Sequence, residues 1–178
     1  MRQLVARAER ALEALYLLCG ALAAVAIALI AVLVGTSVVA RLAGVYVGGL
    51  TEGAGYAMAA AGTLGLAYTF GSGGHVRVDI ALARLRPGLR RRVDQLALIA
   101  TAGAISILAY YFARMTALSF QFGDISDGSD QLPLWIPQFP AAVGLVVFAI
   151  ALAHGALHYL LIGQSPVRDE HQSLLSGE

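Results

Sequence analysis

From Leu15 to Ala40 the chain carries no charged side chain, and three further stretches are almost as apolar. This is the feature that most constrains the fold. A helix needs about 20 mostly apolar residues to cross the hydrocarbon core of a bilayer. Four segments meet that length: about 15–40, 53–74, 95–113 and 136–162. Backbone N–H and C=O groups find no water in lipid, so each segment has to satisfy its own hydrogen bonds as a helix. Continuous apolar runs exclude the alternating pattern of a membrane barrel. The expected fold class is therefore an all-α integral membrane protein with four transmembrane helices.

Composition agrees. Hydrophobic residues make up 58% of the 178 and charged residues only 13%, against about 25% charged in soluble domains. The net charge of +1 does not mark a nucleic-acid binder; the distribution of charge carries the information. Every fixed cation is an arginine. Arg2, Arg7 and Arg10 precede the first run, Arg77, Arg84, Arg86, Arg90, Arg91 and Arg92 lie between the second and third, and Arg168 follows the fourth. Only Arg41 and Arg114 fall on the opposite side, together with the acidic loop containing Asp124, Asp127 and Asp130. Cytoplasmic loops are enriched in Lys and Arg. Both termini and the Arg-rich segment 75–94 are thus expected in the cytoplasm, and the loop 114–135 outside.

Cys19 is the single cysteine, which excludes an intrachain disulfide. It sits in LYLLCGA, after Leu18 where a lipoprotein processing site would carry a small residue, and reads as part of the first span. That run continues about 20 residues past Cys19, longer than the ~7–15 residues of a signal-peptide core.

Ionisable groups within a membrane mark ion or substrate paths, and here they are few. Glu52 stands at the mouth of the second span, where it can pair with Arg41, meet a partner, or serve as an end charge at a helix N-terminus. As a proton carrier it would make the chain a small exporter. His154 and His158 lie four apart near the cytoplasmic end of the fourth span. With His75 they raise an alternative, a haem-bearing membrane anchor of a redox complex. Haem needs axial ligands opposed across its ring, and no second histidine lies deep in another span. The His pair also lacks the further ligands of a zinc site. No nucleophile with a base and no phosphate loop is present, so neither an enzyme nor a bound cofactor or metal is expected.

The second span is rich in small residues, with Gly49-xxx-Gly53, Gly55, Gly62, Gly65 and several alanines, a composition favoured where membrane helices approach closely. Gly71-Ser72-Gly73-Gly74 reads as its stop. In HVRVDIALARLRPG the apolar residues fall on one helical face, which predicts a short amphipathic helix lying on the cytoplasmic surface. Its arginines would bind anionic lipid headgroups. His75 and Asp79 are four apart on that helix. Trp135, in LPLWIPQFP, is placed as a membrane-interface anchor.

These residues together resemble the small membrane subunit of tripartite ATP-independent periplasmic (TRAP) transporters over roughly 15–162. The resemblance rests on Glu52 at the start of the second span, the Gly-containing GTLGLAYTFGSGG, the box of His75, Arg77 and Asp79 followed by a basic stretch, and LPLWIPQFPAAVG before the fourth span. It departs from the family in carrying one acidic residue, Glu52, where many members carry two. The resemblance implies an auxiliary scaffold in the bacterial inner membrane. It would bind the large membrane subunit that moves substrate with sodium, and help dock the periplasmic substrate-binding protein that delivers a carboxylate or sulfonate. It also implies that Glu52, His75, Arg77 and Asp79 form partner contacts, and that Asp124, Asp127 and Asp130 are candidates for docking the binding protein.

Overall fold

The structure, a computed structural model, describes residues 2–72 and 87–162. It consists of four helices: α1 (Arg2–Leu42), α2 (Leu50–Gly71), α3 (Pro87–Phe122) and α4 (Trp135–Ile162). Among the described residues there is no strand. An isolated bridge between Ile125 and Pro133 closes the connection from α3 to α4. The interfacial helix expected over the Arg-rich segment lies outside the described residues, apart from 87–94, which form the first two turns of α3. Pro87 opens that helix, at the position where a missing N–H costs nothing.

Three of the four helices are long and apolar enough to cross a membrane: 9–42 in α1, 92–122 in α3 and 135–157 in α4. At 1.5 Å per residue α1 extends about 60 Å, twice the ~30 Å hydrocarbon core. Its charged first turns, with Arg10 and Glu13, therefore reach beyond the membrane. The second expected span differs. α2 has the length, 22 residues, but it carries Glu52, three threonines and five glycines, and falls short of the apolarity of a self-sufficient span. Its position explains how a weakly apolar helix is kept. α2 packs against α1 on one side and α4 on the other, and α4 packs in turn on α3. The order across the bundle is α1, α2, α4, α3, so that α2, without a self-sufficient apolar stretch, has a helix on either side.

The core follows helical spacing. Tyr16, Cys19 and Ala23 of α1 meet Ala60, Leu64 and Ala67 of α2 and Val147, Phe148, Ala151 and Leu152 of α4, while Leu98, Ala102 and Ile105 of α3 pack against them. The rings of Phe70 and Phe148 meet edge to face, centroids 6.1 Å apart. Alanines make most of the α2 contacts: Ala54, Ala57, Ala60, Ala61 and Ala67 are all buried. The glycines share this role unevenly. Gly55 and Gly62 have open space beside them, whereas Gly144 of α4 lies directly against the backbone of α2. A Cβ there would stand 2.7 Å from backbone atoms of Leu64 and Thr63. Small residues let helices associate through close backbone contact where the hydrophobic effect cannot drive them together.

The second helix stops where its glycines predict. Ser72 caps it, its N–H donating to the carbonyl of Tyr68. At the other end of the bundle α3 runs to Phe122, nine residues past the expected end of the third span at 113, which leaves 123–134 as the connection. Pro140 lies inside α4. Trp135 begins that helix, half-buried, and its ring meets Phe120 of α3 edge to face at 5.3 Å. This contact fixes the corner between α3 and α4 and is worth about 0.5–1.5 kcal/mol beyond burial.

Candidate functional site

The α3–α4 connection folds back over the start of α2. It first closes on itself. The N–H of Asp124 donates to Ser119 O, Ser126 N–H to Leu132 O at 2.8 Å, and Leu134 N–H to Asp124 O at 2.9 Å. Gln131, at φ 47°, turns the chain with its N–H directed to Gly128 O. This geometry presents Ser126 to Ser129 to the neighbouring helix.

Two hydrogen-bonded links then join the loop to α2. The Glu52 carboxylate accepts from the Ser129 hydroxyl at 3.2 Å and from the Ser129 N–H at 3.4 Å, both at Oε1. Ser129 Oγ accepts in turn from the Gly49 N–H at 2.9 Å. One turn further along α2, the Tyr56 and Ser126 hydroxyls lie 2.8 Å apart, and Ser126 Oγ also accepts from the Gly128 N–H. Gly49 caps α2 at φ 84°, a conformation that side-chain-bearing residues rarely adopt. Gly128 has no room for a side chain: a Cβ would stand 2.8 Å from Asp130 Oδ1 and 3.0 Å from Glu52 Cγ. A carboxylate in the first helical turn is also favoured by the positive end of the helix dipole.

Of the readings open for Glu52, the pairing with Arg41 is not the one seen within the chain. Arg41 lines the same mouth as Glu52, yet the carboxylate is held by a serine 77 residues away rather than by the arginine. Tyr56, Ser126 and Ser129 belong to this clasp and do not stand out in the sequence. The available signal was the i, i+4 spacing of Glu52 and Tyr56, which puts both on one face of α2.

The three loop aspartates do not behave alike. Asp124 and Asp127 are exposed, whereas Asp130 is half-buried. Both Asp130 carboxylate oxygens are enclosed and have no hydrogen-bond partner among the described residues. His75, Arg77 and Asp79 lie outside the described residues. His154 is exposed on α4, and the side chain of His158 is outside the described set. Among the described residues no group of three His, Cys, Asp or Glu comes together to hold a metal ion. What the arrangement supplies chemically is a neutral and charge-assisted polar clasp.

Comparisons with curated proteins and with solved structures gave no match. A family model does match, over residues 30–160, from the middle of α1 to the end of α4, so that it takes in Glu52, Tyr56 and the whole α3–α4 connection. The chain belongs to the family it describes, the DctQ component of the tripartite ATP-independent periplasmic transporters.

Proposed function

We propose that the chain is the small scaffold subunit of a sodium-coupled TRAP transporter that imports organic acids, seated in the bacterial inner membrane with four spans and both termini in the cytoplasm. The family match over 30–160 carries this reading. It is supported by the emptiness of the spans: no Asp, Glu or Arg lies within 15–40, 95–113 or 136–162, and a protein that moved ions itself would need such groups. The chain therefore supports the large transport subunit rather than carrying substrate. α2, too polar to face lipid on every side, is held between α1 and α4. The segment with His75, Arg77 and Asp79 fastens the cytoplasmic side to the large subunit and to anionic lipids.

At the opposite end, the clasp of Glu52, Ser129, Tyr56 and Ser126 holds the α3–α4 connection as a platform for the periplasmic binding protein. Asp124 and Asp127, exposed on that platform, supply the docking charge; Asp130 packs beneath it. The test is co-expression with the large membrane subunit. Association of the two chains, and loss of sodium-dependent uptake when this chain is deleted, are expected. Absence of association together with undiminished uptake would overturn the proposal.

A further inference from the structure

Beside the polar clasp, on the α1 side of α2, a two-part cleft opens between the end of α1 and the start of α2. Its aliphatic part, a half-open groove of about 430 Å³, is lined by Val34, Val38, Leu42, Leu50 and Ala54. Its mouth, about 240 Å³, is lined by Tyr46 and Val47 from the α1–α2 connection, and by Glu52. Ser37, Arg41 and Thr51 belong to both parts and join them. The volume of the aliphatic part falls in the ~300–1,000 Å³ range of small-molecule sites. The cleft is graded along the helix axis, aliphatic toward the membrane interior and polar where the apolar run of α1 ends at Arg41.

The charges at the mouth narrow the occupant. Arg41 is exposed, and among the described residues its guanidinium has no hydrogen-bond or ion-pair partner. Glu52 uses only Oε1 toward Ser129, which leaves Oε2 for a donor. Arg41 and Glu52 are the charged groups of the mouth, one of each sign. An arginine fork matches a phosphate bidentately. The neighbouring carboxylate repels a second anion and accepts from an ammonium. We infer that this cleft binds a zwitterionic aminophospholipid, with its phosphate on Arg41, its ammonium toward Glu52 and an acyl chain against Val34, Val38 and Leu42. The inference rests on α1 crossing the membrane and not on the transport role.

Native mass spectrometry of the purified full chain tests it, with added phosphatidylethanolamine, phosphatidylglycerol or diacylglycerol of the same acyl composition. Phosphatidylethanolamine is expected to be retained about fivefold or more over diacylglycerol, the scale of one arginine acting on a lipid headgroup. Arg41→Gln removes that advantage, and Glu52→Gln narrows the gap between the ethanolamine and glycerol headgroups. Ser37→Phe, which fills the join between the two parts while leaving Arg41 in place, lowers retention as well. Equal retention of the three lipids by the unmodified chain, or wild-type retention by Arg41→Gln or by Ser37→Phe, would overturn the site. The same measurement on the chain co-purified with its large subunit should keep the Arg41-dependent lipid. Its loss there would show that a protein helix, not lipid, occupies the cleft.

Discussion

Replacing Gly144 by alanine probes the seam that holds α2 against α4. A Cβ at 144 would stand 2.7 Å from Leu64 N, Thr63 C and Thr63 Oγ1, where ordinary contact begins near 3.4 Å. Two of those three are backbone atoms and cannot swing aside. The α2 and α4 axes must part by about 0.7 Å or more, beside the shared core of Leu64, Val147 and Phe148. Overpacking of a tight interior costs about 1–3 kcal/mol. The gain in helix propensity from Gly to Ala offsets about 0.5–1 kcal/mol of that. A net loss of about 1–2 kcal/mol is expected. Gly62→Ala is the control, because a Cβ there has nothing within 4 Å; it should be neutral or stabilising by up to about 1 kcal/mol. The two variants should therefore differ by about 2 kcal/mol, roughly thirtyfold in the unfolding equilibrium. Reversible unfolding of the purified chain in mixed micelles measures this, with fluorescence of the single tryptophan, Trp135, as the probe beside helicity. Equal stability of the two variants would refute the α2–α4 register.

Three further outcomes follow from the loop clasp. Ser129→Ala removes the hydroxyl donor to Glu52 and the acceptor for Gly49 N–H, and should destabilise the clasp by about 1–2 kcal/mol, read as faster proteolysis within 123–134; Glu52→Gln keeps an acceptor at the same place and should be milder. A double-mutant cycle of Tyr56→Phe and Ser126→Ala should give a coupling of about 0.5–1.5 kcal/mol; no coupling would mean the 2.8 Å contact adds nothing. Asp124→Asn with Asp127→Asn should weaken binding-protein docking and flatten its salt dependence, whereas Asp130→Asn, whose carboxylate is enclosed, should leave the salt dependence unchanged in a docking titration.

The clasp also locates the limit of reading along the chain. Glu52 stands out in sequence because a lone acid at the start of an apolar run is rare. Its nearest opposite charge in sequence is Arg41, and proximity along the chain suggests that pair. The bundle hydrogen-bonds Ser129 to Glu52 instead, since the α3–α4 connection returns over the start of α2. Serines in a polar loop carry no periodicity and no charge, so nothing local distinguishes Ser126 and Ser129 from solvated neighbours.

Local physics sufficed for the helices themselves. Apolar runs longer than a membrane is thick have to become helices, because lipid leaves the backbone no other hydrogen-bond partner. The same holds for the stop at Gly71 and Ser72 and for Trp135 at the head of the last helix. Which helix lies inside was decided only by tertiary structure. The order α1, α2, α4, α3 depends on Gly144 meeting the backbone of α2 and on alanines filling that seam, and contacts between residues eighty positions apart leave no periodic trace. The same packing explains how α2, which has no stretch apolar enough to span by itself, is held: its buried alanines and Leu64 lie between α1 and α4.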